Sequence, residues 1–142
     1  MTHTGASPGA DDDGSGCICN LEAFRIIVAS GVQLQHPLEF HFYSAEEVGL
    51  RGSQAIANYY SVKGIEVYAM MQLDMTMYDG DPTPIISPTT DFTSDELNAF
   101  IRIMIDAYCN IGWVDNKCGY GCSDHASWYR TGVASVHPFE AR

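Results

Sequence analysis

Residues 65–75, IEVYAMMQLDM, form a nearly continuous apolar run that ends at Asp74 and follows a segment with helical periodicity. A strand with one wet face alternates apolar and polar residues, whereas an unbroken run reads as a strand covered on both faces. Such coverage requires helices on either side of a sheet, and the neighbouring segments supply them. GSGCICNLEAFRIIVASG places Leu21, Phe24, Ile27 and Val28 on one face, with Gly31 where a C-terminal cap belongs, predicting a helix over 14–30. GLRGSQAIANYYSVKG returns to the helical period and ends at Gly64. Between the two, PLEFHFYS alternates Leu38, Phe40 and Phe42 with Glu39, His41 and Tyr43, the period of a half-buried strand. TSDELNAFIRIMIDAYC predicts an amphipathic helix with a capping-box start at Thr93 or Ser94. SDHASWYRTG reads as a shorter helix opened by Ser123 or Asp124, and VASVHPF as a short closing strand. Helices and strands in alternation, joined by short connections, predict an α/β fold of three layers, a mixed and mostly parallel sheet sandwiched by helices.

With 142 residues and a 46% hydrophobic fraction, one domain spanning 1–142 can enclose a core. Eighteen acidic residues against seven basic ones give a net charge of −11. That balance excludes nucleic acid and anionic membrane as partners and suits cations. No stretch approaches the ~20 apolar residues of a membrane span, and the opening MTHTGASPGA has neither the charged start nor the apolar run of a secretion signal. Cys118 and Cys122 bracket CGYGC, a spacing that closes a tight disulfide loop or supplies two thiolates to a metal. Cys17, Cys19 and Cys109 are expected as buried apolar filler.

In open α/β sheets, sites gather where strands end and lead into helices. Three acidic segments fall there: Asp11 to Asp13 in SPGADDDGSG before the first helix, Glu46 and Glu47 after LEFHFY, and Asp74 at the end of the apolar strand. Carboxylates gathered in a low-dielectric cleft cannot all ionise unless a multivalent cation compensates them. Two divalent ions sharing one aspartate, with a spare glutamate as proton acceptor, would use the whole set, and that is the chemistry of metal-assisted hydrolysis. Taken singly, DDDGSG also reads as a solvated helix cap, or less well as a calcium loop, whose ligands alternate rather than adjoin.

Together the stretches PGADDDGSG, EFHFYSAEEVGLRGSQAIANYY, QLDMTMY and CGYGCSDHASW resemble the secreted co-catalytic dizinc aminopeptidases of metallopeptidase family twenty-eight, in order and spacing along nearly the whole chain. The resemblance implies a zinc-exopeptidase-like fold, two zinc ions, peptide or protein N-termini as substrates, release of apolar N-terminal residues, a monomer and an extracellular location. It implies Asp11 as the metal-bridging ligand, with a cis peptide between Asp11 and Asp12, Glu47 and Asp74 as ligands of one ion each, and Glu46 as general base. It further implies Asp12 and Ser123 as supports behind the ligands, Met75, Tyr120 and Phe139 as the walls of the substrate pocket, and a disulfide between Cys118 and Cys122.

His36, His41, His125 and His137 are expected to be structural, His125 being the nearest to the site, and His3 is too close to Asp11 to match a family ligand. The family's metal-binding histidines are expected before and after these 142 residues, so the resemblance implies a domain incomplete at both ends, weak zinc binding and impaired peptidase activity. The alternatives are a non-catalytic relative that binds peptides in its apolar pocket, a gene fragment, or an acidic calcium-binding domain.

Overall fold

The computed structural model describes residues 8–78 and 82–140; His3 lies outside them. Helix α1 spans Gly14–Ser30 and is closed by Gly31, whose φ of 67° is the left-handed geometry in which a Cβ would be strained. Helix α2 spans Arg51–Lys63 and ends on Gly64 in the same manner. Strands β1 (Met70–Met71) and β2 (Ser87–Pro88) follow, then α3 (Asp95–Tyr108), α4 (His125–Tyr129), β3 (Ser135–Val136) and β4 (Pro138–Phe139). β1 pairs in parallel with β3, Met70 opposite Ser135, and β2 pairs antiparallel with β4, Ser87 opposite Phe139.

The buried core gathers around α4. Ala57 of α2, Ala126 and Trp128 of α4, Ile105 of α3 and Val136 of β3 are all nearly inaccessible. Ser53 and Ser127 share a 2.8 Å hydrogen bond between α2 and α4, and Trp128 Nε1 donates to the Tyr43 hydroxyl at 2.8 Å. His41 lies beside them, its ring nitrogens 2.9 Å from the Tyr43 hydroxyl and 2.9 Å from Glu39 Oε2. It is structural, as its place within LEFHFY predicts.

Sheet pairing is narrower than the apolar pattern suggests. Segment 38–43 carries no ladder among the described residues, and within 65–75 only Met70–Met71 is paired. A cavity of about 820 Å³ runs between these two segments and extends to Ala23 and Ile27 of α1 and Phe100 and Ile101 of α3. Among the described residues, the pairing of 65–75 is confined to β3. Cys17, Asn20, Ala23 and Ile27 of α1 border this opening, while Leu21, Phe24 and Val28 are half exposed or more.

Two smaller expectations are corrected. Ser94 caps α3, but its hydroxyl donates to Glu96 Oε2 at 3.0 Å instead of accepting from the backbone. Asp95 and Glu96 still place negative charge against the helix N-terminus. The spare cysteines are not buried filler: Cys109 is exposed, and Cys17 and Cys19 are half-buried beside polar partners, Cys17 near Asp13 and Cys19 near Thr76.

Candidate metal centre

The start of α1 is pressed against the end of the apolar strand. Asp13 caps the helix, its Oδ1 accepting from Gly16 N at 3.1 Å. A Cβ on Gly16 would stand 2.2 Å from the Leu73 carbonyl oxygen and 2.3 Å from Asp13 Oδ1, so only glycine permits this approach. Ser15 Oγ donates to Asp11 O at 2.7 Å and accepts from Thr76 N at 2.9 Å, tying the aspartate turn to the residues just past Asp74.

Glu46 and Glu47 are set by the turn into α2. The Gly49 and Leu50 amides both donate to Glu46 O, at 2.9 and 2.8 Å, while Ala45 and Leu50 hold positive φ angles of 61° and 55°. Asp74 is buried, and Ser123 Oγ donates to its Oδ2 at 2.5 Å. Asp124, next in the chain, is buried as well.

Eight carboxylates line one cavity, among them Asp12, Asp13, Glu46, Glu47, Asp74 and Asp124. Burial raises Glu46 to about 7, helped by the charges of Asp74 and Asp124. Burial, then the charge of Asp74, raises Asp13 to about 7, and burial raises Asp74 to about 6 despite the opposing Ser123 hydrogen bond. Asp74 Oδ1 and Asp124 Oδ1 are buried without a hydrogen-bond partner. Uncompensated oxygens of this kind are costly in a protein interior unless a cation meets them. Crowded carboxylate oxygens are the chemistry that attracts divalent ions, although no three of these carboxylates bring ligand oxygens within 4.8 Å of one another among the described residues.

The aspartate triple is read one residue off by the sequence. Asp11 does not line the cavity: its Oδ1 accepts from Met77 N at 3.1 Å, and its carboxyl lies against Glu140, which burial and then Asp11 itself raise to about 7. The cis peptide is Asp12–Asp13, not Asp11–Asp12. Asp12 is the member of the triple whose charge acts on both Glu46 and Asp74. Three identical neighbours give a sequence reading no means of choosing among them, because the turn geometry makes the choice.

Met75, Tyr120 and Phe139 do not line this cavity. Met75 adopts a positive φ of 53°, its backbone hydrogen-bonded to Asp13. Tyr120 is exposed, and Phe139 packs edge-on against His137 with ring centroids 5.8 Å apart. Cys118 and Cys122 are joined as a disulfide. Asp13 and Asp124 belong to the acidic wall although their sequence positions read only as helix caps. Their one signal is adjacency to Asp12 and Ser123. Burial lowers His125 to about 4 and His137 to about 3, and the rings stack 4.9 Å apart. His36 stacks on Tyr68.

Residues 2–142 match the model of peptidase family M28. The chain belongs to that family. Among M28-type relatives, leucine aminopeptidase 1 of Chaetomium globosum is 48% identical over 96% of this chain and 36% of its own length. The protein of the same name from Fusarium vanettenii is 44% identical over 96% of this chain and 37% of its own. The LapA aminopeptidase of Legionella pneumophila superposes with a TM-score of 0.93 at 40% identity, covering 99% of this chain and 38% of that one. A zinc aminopeptidase from Bacillus subtilis superposes at 0.82 with 25% identity, over 97% of this chain and 34% of its own. The α/β architecture is therefore that of the M28 aminopeptidases, and the chain spans little more than a third of the length of these relatives.

Proposed function

We propose that this chain supplies the acidic wall of a two-zinc aminopeptidase site that removes apolar N-terminal residues from peptides. The observation that carries the reading is the convergence of Asp12, Glu46, Glu47, Asp74 and Asp124 on one cavity, with oxygens of Asp74 and Asp124 buried and unpartnered. Family membership and relatives named as aminopeptidases support it. Asp12, Glu47 and Asp74 would hold the ions, Asp12 shared between them. When bound, such ions acidify water and polarise a carbonyl. Glu46, raised to about 7 by its buried and anionic surroundings, is suited to take a proton from the attacking water and return it to the leaving amine. Ser123 fixes the orientation of Asp74 by its hydrogen bond to Oδ2.

Imidazole, the usual nitrogen partner of zinc, is poorly offered to this wall. His41 is engaged by Tyr43 and Glu39, His137 lies against Thr89 and the Asp74 carbonyl, and His125 donates to Asp91 O. We infer that the 142-residue chain binds zinc weakly and hydrolyses peptides slowly. The disulfide suits an extracellular setting. Calorimetric titration with zinc, alongside hydrolysis of a leucyl chromogenic substrate, tests the reading. Saturable binding that is lost in the Glu47→Gln, Asp74→Asn double variant is the expected result. Binding undiminished in that variant refutes the assignment, and tight occupancy by two ions with brisk turnover refutes the weakness.

A further inference from the structure

A second group of metal-ligating side chains lies under the disulfide loop, outside the acidic cavity. One ligand atom from each of Cys122, His125 and His137 falls within 4.8 Å of the others. Both rings are fully or almost fully buried. His125 Nε2–H donates to Asp91 O at 3.1 Å, which leaves the lone pair on Nδ1, and Nδ1 is buried without a partner. An outer hydrogen bond that fixes the free nitrogen of an imidazole is what metal-binding histidines require. His137 is held only loosely, its nitrogens 3.4 Å from Thr89 Oγ1 and 3.4 Å from Asp74 O. Asp91 also braces the loop, its Oδ2 accepting from Gly119 N at 2.6 Å, and Tyr120 on that loop is 65% exposed, so the cover above the cluster is thin.

In the disulfide, Cys122 offers no thiolate. We propose that reduction of Cys118–Cys122 opens a second metal site, in which both thiolates join His125 and His137 around one zinc or similar thiophilic divalent ion. The two Cα atoms are 6.2 Å apart, a span across which two cysteines can reach one ion. Tetrahedral bonds of about 2.0–2.3 Å bring ligand atoms to roughly 3.3–3.8 Å from one another, so the cluster contracts by about an ångström on binding. The steps balance. A dithiol, or a phosphine with one water, gives two electrons and two protons to the S–S bond, leaving two cysteine thiols and, respectively, the reductant's own disulfide or a phosphine oxide. The ion then displaces the two thiol protons as two metal–sulfur bonds form. The site does not depend on the peptidase reading, since it shares no ligand with the acidic wall.

The test uses the full 142-residue chain carrying Cys17→Ser, Cys19→Ser and Cys109→Ser, with cobalt(II) as the probe under anaerobic conditions. After reduction by a water-soluble phosphine, one equivalent of cobalt is expected to give near-ultraviolet sulfur-to-cobalt charge-transfer bands and intense visible bands of a tetrahedral ion. The oxidised chain should give neither. The double variant His125→Gln, His137→Gln should bind at least roughly tenfold more weakly, while Glu47→Gln should leave the bands unchanged. Should the histidine variant fail to fold, X-ray absorption on the protein with both histidines intact decides: two sulfur and two imidazole neighbours support the site. Absence of thiolate bands after reduction, a cobalt shell with sulfur but no imidazole, or bands that vanish with Glu47→Gln overturns it.

Discussion

Ser123 Oγ donates a 2.5 Å hydrogen bond to Asp74 Oδ2, and the other oxygen of that carboxylate has no partner. The bond spans 49 residues of sequence and aims Oδ1. Removing it with Ser123→Ala is expected to raise Asp74 further and weaken zinc binding about 10–100-fold. Calorimetry on the two proteins at one pH checks this, and equal affinities would show that the serine only fills space.

Gly16 governs the distance between the aspartate turn and the strand end. With backbone oxygen 2.2 Å from the site of a Cβ, Gly16→Ala forces α1 away from Leu73. A cost of about 3 kcal/mol is expected, together with loss of zinc binding, because the aspartate turn carrying Asp12 moves away from Asp74. Urea denaturation gives the first quantity. A variant of unchanged stability would mean that the helix start can slide freely.

Glu46 is expected to separate binding from turnover. Glu46→Gln should keep zinc affinity within a few-fold while cutting any peptide hydrolysis by about 10²–10⁴. Parallel loss of affinity would instead make Glu46 a ligand.

Stability of the metal-free chain should fall as pH rises from 6.5 to 8. Asp13 and Glu46 are raised to about 7 in the fold, above their unfolded values of 3.8 and 4.5. Groups raised in this way favour the folded state fully at low pH and lose that contribution as pH climbs through the folded value. His125 and His137, lowered from 6.5 to about 4 and 3, act in the opposite sense up to and just past pH 6.5, and so offset only part of the carboxylate loss at the lower end of this window. Thermal melts in chelator should therefore show a higher midpoint at pH 6.5 than at pH 8, and zinc should narrow the gap. A midpoint that rises with pH in chelator contradicts the cause given for the shifts.

Helix boundaries were legible because glycines punctuate them: α1 runs over 14–30 as its spacing predicts, and Gly64 closes α2. The short β2 and β4 were not foreseen as a pair, since two residues each, with a proline in both, carry no periodicity. LEFHFY alternates as a strand must, yet pairing depends on which backbone lies beside it, and local sequence does not encode that. Glu46, Glu47 and Asp74 were legible from their places after strands. The choice of Asp12 over Asp11 and the arrival of Asp124 were not, because both depend on turns that fold back from far along the chain.

The unpaired segment 38–43 also bears on how this protein behaves in a test tube. A row of amides and carbonyls with no backbone partner among the described residues, beside exposed Leu38 and Phe42, is a template on which a second molecule can lay its own extended chain. At neutral pH a charge of −11 keeps such molecules apart. Near the isoelectric point of about 4.5 that repulsion vanishes, so mild acid is where solutions of this protein should turn cloudy first.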